Sequence, residues 1–145
     1  MKQFFLSLLT IFLLFLSCDK APNKYYESGI KKRLSNDFEG ALTDFTKAIE
    51  INPTYERAYH NRGYVKYYTY DYKGAIEDFN EALNIDPKLK ESYYFRGKAQ
   101  KELKKYIKAI DDYNKAIKID PNYFVAIISR ALAKSDLKDY RGAIK

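Results

Sequence analysis

The residues able to do chemistry in this chain are few, and their spacing says more than their number. Arg62, Arg96 and Arg130 follow one another at 34-residue intervals, and Asp44, Asp78 and Asp112 keep the same step. Opposite charges repeated in step can fix how helices sit on one another, because an unpaired, partly buried charge is costly. At a surface, Arg62 and Arg96 would instead carry their charge into water along an apolar stem. His60 is the sole histidine and Cys18 the sole cysteine. A lone imidazole with no nucleophile or acid partner in view makes no catalytic set. One thiol allows neither an intrachain disulfide nor a thiolate cluster for zinc. Neighbouring carboxylates such as Asp111-Asp112 and Glu77-Asp78 point in different directions on a helix, and no glycine-rich phosphate loop follows a strand. No enzymatic activity, cofactor or metal is expected.

The elements that must position these groups announce themselves by the same period. Pro53, Pro87 and Pro121 lie 34 residues apart, as do Gly29, Gly63 and Gly97, continued by Ala131, and Ala41, Ala75, Ala109 and Ala143. With the prolines as position 32, the units run 22–55, 56–89 and 90–123, followed by a partial 124–145. Each complete unit reads as helix A, a turn, helix B and a proline-closed loop. Helix A is predicted over about 24–35, 56–69, 90–103 and 124–137, and helix B over about 39–51, 73–85 and 107–119. Asp37, Asp71 and Asp139, each followed three residues later by Gly, open the turns, while 104–108 lacks both and promises a poorer cap. On helix B, Ala41, Phe45, Ala48 and Ile49 form one apolar stripe, repeated by Ala75, Phe79, Ala82 and Leu83 and by Ala109, Tyr113, Ala116 and Ile117. Small residues at positions 8, 20 and 27 let helices approach, and the aromatic at 24 fills the space between them. The tail that begins with Gly142 opens a fourth helix B and stops. The reading is a fragment of a longer protein, or a helix A4 that serves as cap or meets another chain.

This pattern resembles the tetratricopeptide repeat, over residues 22–145. Tyr25, Tyr59 and Tyr93 stand where the family favours Trp. Position 7 (Ser28, Arg62, Arg96, Arg130) departs from its Leu, and position 11 (Lys32, Lys66, Gln100, Lys134) from its Tyr. The resemblance implies an all-α solenoid of antiparallel helix pairs in a right-handed superhelix, with three full repeats and a truncated fourth. The Arg62, Arg96, Asp44, Asp78 and Asp112 set then reads as an ion-pair ladder, within or between repeats. The resemblance also implies a concave groove lined by helix A. There it places Tyr26, Arg33, Arg57, His60, Asn61, Tyr64, Tyr67, Tyr68, Tyr94, Phe95, Lys98 and Lys101. Such a groove suits an acidic or aromatic-containing peptide or helix, although some of the tyrosines are expected to pack as core. Of the Lys/Asn/Asn/Lys/Arg set with which some relatives clamp a terminal carboxylate, only Asn61 is present, so no such clamp is expected.

Ahead of the repeats, Lys2 precedes an apolar run from Phe4 to Leu16, too short to span a bilayer comfortably. Residues 1–17 read as an export signal and 18–24 as a tether. Leu16-Ser17-Cys18-Asp19 resembles a bacterial lipoprotein cleavage site, which implies lipidation of Cys18 and anchoring in the cell envelope; a periplasmic or secreted protein is the alternative. Lys and Arg number 26 against 19 Asp and Glu, for a net charge of +7. That excess fits acidic partners, anionic lipid or simply a solvated surface, while nucleic-acid binding conflicts with the leader. The expected function is a non-enzymatic scaffold with protein or peptide partners. The alternative is a structural subunit of an envelope assembly, self-associating or docking through its last repeat.

Overall fold

The computed structural model describes residues 21–143. Seven helices follow one another: α1 (Ala21–Leu34), α2 (Phe38–Ile51), α3 (Glu56–Tyr68), α4 (Tyr72–Ile85), α5 (Lys90–Glu102), α6 (Tyr106–Ile119) and α7 (Phe124–Ala143). They pair as α1–α2, α3–α4 and α5–α6, with α7 packed on α6; the described residues contain no strand. Successive odd-numbered helices touch one another, whereas α2, α4 and α6 make no direct contact among themselves. The odd-numbered helices therefore lie on the inner side of the stack.

Local chemistry explains each boundary. Asp37 Oδ1 and Asp71 Oδ1 accept from the amides of Gly40 and Gly74, both at 2.9 Å, capping α2 and α4. Lys105 caps α6 without any side-chain bond, as the third turn's composition predicts. Asn52, Asp86 and Asp120 end the even-numbered helices in extended backbone before proline, and their side chains accept from the amides of Thr54, Lys88 and Asn122. The odd-numbered helices stop differently, at a left-handed residue: Asn36 (φ 62°), Tyr70 (φ 65°) and Lys104 (φ 57°). Only Asn tolerates that conformation readily.

Two boundaries differ from the sequence reading. α1 begins at Ala21, inside the segment read as tether; Pro22 fits a first helical turn because its missing N–H would be unpaired there anyway. The turn expected at 139–142 does not form, and α7 runs unbroken through Ala143 rather than ending near 137. Lys138, the counterpart of Asn36, Tyr70 and Lys104, stays helical. No helix among the described residues packs back on that side, so nothing offsets the cost of a left-handed lysine.

The core is the stripe of the even-numbered helices. Ala41, Phe45, Ala48, Ala75, Phe79, Ala82, Ala109, Tyr113 and Ala116 are fully buried. Burying each ring contributes roughly 1.5–3 kcal/mol. The rings lie against glycines of the preceding helix: a Cβ built on Gly97 would fall 2.7 Å from Tyr113 Cε1, and one on Gly29 2.7 Å from Phe45 Cε1. Glycine is required here by proximity, not by backbone conformation.

Three carboxylates are buried beside that stripe: Asp44, Asp78 and Asp112. Arg62 grips Asp78 with two nitrogens, Nη2 to Oδ1 at 2.6 Å and Nε to Oδ2 at 3.0 Å. Arg96 grips Asp112 likewise, at 2.6 and 2.8 Å. The remaining nitrogen reaches back one repeat, from Arg62 Nη1 to Thr46 and from Arg96 Nη1 to Asn80; Arg130 Nη1 makes the same reach to Asn114. Asp44 has no arginine. Ser28 Oγ donates to it at 2.6 Å and Lys32 Nζ lies at 2.7 Å, so a hydroxyl stands where the later repeats carry a guanidinium, and Lys32 matches Lys66, which lies 2.8 Å from Asp78. Burial opposes the charged forms of Asp44 and Arg62, but these partners outweigh it: the Asp44 carboxyl titrates below, and Arg62 above, the ordinary value.

Arg96→Met should destabilise the fold by about 3–5 kcal/mol, because Asp112 would stay buried without its partner. Arg96→Met combined with Asp112→Leu should cost less than the single change, as read by denaturant melts. Lys104→Gly should raise stability by about 0.5–1 kcal/mol by relieving the left-handed backbone.

Candidate groove on the inner helices

The inner helices carry no clean apolar stripe. Tyrosines alternate with Arg, Lys and Asn, and the rings assemble only when α3 meets α5. Phe95 is the hub: its ring centroid lies 4.9 Å from Tyr64, 5.1 Å from Tyr94, 6.0 Å from Tyr67 and 6.1 Å from His60. Tyr68 lies tilted against Tyr64, with centroids 4.6 Å apart. Such pairs contribute about 0.5–1.5 kcal/mol each beyond the area they bury.

Two cations sit on this aromatic floor. The Arg33 guanidinium lies 4.8 Å above the Tyr64 ring. Lys98 Nζ lies within 4.9 Å of the Tyr67 centroid, 5.4 Å of Phe95 and 5.6 Å of Tyr94. Neither pairs with a carboxylate among the described residues. Arg33 Nε is buried with no acceptor. Burial lowers the pKa of Lys98, with Glu102 only partly opposing it. Ring faces attract such cations without replacing a hydrogen-bond acceptor. Arg33 borders a cleft with Leu34, Asn36, Phe38, Tyr64 and Tyr68, and Lys98 borders a second with Tyr94, Lys101, Tyr113 and Leu132.

The remaining sequence-predicted residues divide. Lys101 lies in the second cleft and pairs with Asp136 of α7 at 3.1 Å. Asn61 Nδ2 donates to Tyr26 OH at 3.2 Å, and Tyr26 leans on Phe45 and Tyr55, so its ring is partly core. Arg57 is exposed beside Glu56. His60 is half-buried and packs between repeats. Its Nδ1 shares a 2.8 Å hydrogen bond with the buried Ser92 of α5, and its ring lies against Phe79 and Phe95. Burial, with the nearby Arg33 charge, lowers its pKa to about 4. Tyr113 was legible as a ring that fills the core. Its hydroxyl, buried without a partner at the second cleft, was not. Cys18 lies outside the described residues.

Three family models of the tetratricopeptide repeat match the chain, at residues 32–69, 56–89 and 91–123. The chain belongs to the tetratricopeptide-repeat family. No curated protein matches it in sequence. Solved repeat domains share its fold. The TPR domain of Arabidopsis OM64 superposes with a TM-score of 0.79 at 24% identity, covering 80% of this chain and 96% of that one. The first TPR domain of Spaghetti (RPAP3), bound to an HSP90 peptide, gives 0.81 at 23% identity, with 82% and 94% covered. The TPR2B domain of yeast Sti1, in complex with an Hsp70 peptide, gives 0.77 at 21%, with 80% and 98% covered. As a tetratricopeptide-repeat protein the chain is a protein-interaction scaffold, and among the described residues no group of His, Cys, Asp and Glu could hold a metal.

The folded protein keeps His60 neutral, whereas unfolded chains bind a proton near pH 6.5. Stability should therefore be constant above that value and fall as pH drops from 6.5 toward 4, by about 2–3 kcal/mol. A His60→Gln variant should lose most of this slope in urea melts run at each pH.

Proposed function

We propose that this tetratricopeptide-repeat protein is exported, held at the bacterial envelope by lipid on Cys18, and recruits a partner protein by laying an acidic peptide or helix in the inner groove. One observation carries the groove: two cations without carboxylate partners, Arg33 and Lys98, lie on a continuous floor formed by Tyr64, Tyr67, Tyr94 and Phe95. Aromatic area beside an unpaired cation is what binding hot spots are made of. The solved relatives bound to HSP90 and Hsp70 peptides support the mode. The missing Lys/Asn/Asn/Lys/Arg set sets this groove apart from a terminal-carboxylate clamp. The support for export and lipid is the Lys2 to Cys18 sequence. No described helix is long and apolar enough to cross a membrane.

A second reading is favoured by α7. Phe124, Val125, Ile128 and Leu132 form one stripe along it and are all more than two-fifths exposed. A subunit of a larger assembly would cover such a stripe with another copy or a neighbouring component.

Pull-down from an envelope extract should capture a partner with the wild type. The Tyr94→Ala, Lys98→Ala, Lys101→Ala triple variant should lose it, and an unchanged partner set would remove the groove. Intact mass of the membrane-extracted protein should show acyl chains on Cys18, and Cys18→Ser should release the protein from the membrane. Sizing over a concentration series separates the second reading, which requires a concentration-dependent mass.

A further inference from the structure

The second cleft, of about 230 Å³ between α5 and α7, is bordered by more than a loose cation. Tyr113 is fully buried on α6, with its ring against Gly97; the residue borders the cleft, and its buried hydroxyl has no hydrogen-bond partner among the described residues. A phenylalanine there would fill the core equally well, so the hydroxyl adds desolvation cost and no packing. Lys98, on the same cleft, is the under-compensated cation of the groove. Glu102, one turn on, also borders the cleft but makes no ion pair with it. Lys101 is already engaged by Asp136. Two residues whose donors nothing satisfies thus border one volume.

We propose that this cleft receives a carboxylate side chain, Asp or Glu, of the partner, with the Lys98 ammonium and the Tyr113 hydroxyl donating to its two oxygens. The inference rests on the groove reading and names its anchor. Tyr113 can only donate to such a guest as a neutral phenol, and burial, followed by the charges of Tyr94, Tyr67 and Glu102, raises its pKa and keeps it protonated. Tyr94 and Leu132 offer apolar walls to the methylenes of the incoming side chain. Glu102 and Asp136 at the margin oppose a dianion, which favours a carboxylate over a phosphate. Hydrogen bonds between a carboxylate and these donors are of the stronger, charge-assisted kind.

The test uses the full chain with isotope-labelled Lys and Tyr, read by NMR, and N-acetylglutamate amide as probe. Saturable shifts should appear at Lys98 and Tyr113 together. N-acetylglutamine amide should bind about tenfold more weakly or not at all. Tyr113→Phe, read at Lys98, and Lys98→Met, read at Tyr113, should each weaken the glutamyl probe about tenfold. Tyr113→Phe should leave thermal stability unchanged or raised, which separates loss of the site from loss of the fold. Absence of a saturable shift, or equal binding by Tyr113→Phe, overturns the proposal. So does preference for inorganic phosphate, or for N-acetylglycine, which offers only a terminal carboxylate. Peptide display against wild type and both variants keeps the two readings apart. A glutamyl site with no enriched peptide sinks the groove alone, and enriched peptides indifferent to both substitutions sink the cleft alone.

Discussion

Each complete repeat in this solenoid is organised around a buried carboxylate that cannot be left alone. An isolated carboxylate at the depth of Asp78 or Asp112 would unfold its surroundings or give up its charge. The two-toothed grip of Arg62 or Arg96 gives it a charged partner at both oxygens and sets the register of one helix on the next. The third nitrogen of each guanidinium then ties that pair to the preceding repeat through Thr46 or Asn80. One side chain thus joins three helices. Apolar stacking is non-directional, and alanine-rich faces could slide; the ladder makes one register preferable.

The ladder also leaves the inner face free for something else. Where the family favours Leu and Tyr at positions 7 and 11, this chain spends Arg and Lys on Asp44, Asp78 and Asp112, which turns those charges inward toward the even-numbered helices. The cations left over, Arg33 and Lys98, lie on the opposite margin of the same helices, over rings rather than carboxylates. The two populations of basic residues look alike in composition and do different work: one is neutralised in the core, the other stays available.

Strain accompanies this arrangement in known places. Tyr70 and Lys104 hold left-handed backbone so that each even-numbered helix can fold back on its partner, and the core rings repay that cost. At Lys138 no such packing exists among the described residues, and the helix continues instead. The same lack of cover leaves the Phe124, Val125, Ile128 and Leu132 stripe in solvent.

The amino-acid sequence by itself determined the repeat, the even-numbered helices and the filler at position 24. A 34-residue period and an apolar stripe at helical spacing are local signals, readable without knowing any partner. It also singled out the Arg and Asp positions by their shared step. It could not say which carboxylate met which cation, because Ser28, at the arginine's position, meets Asp44 beside Lys32 only once α1 lies on α2. Nor could it sort the aromatic residues of the inner helices. His60 looks like a groove residue by position, and only the approach of α5 brings Phe95 and Ser92 to it beside Phe79. Tyr113 reads as core from its spacing. That it borders a cleft with Lys98 depends on where α7 rests against α5, a relation between residues far apart in the chain that no local pattern encodes.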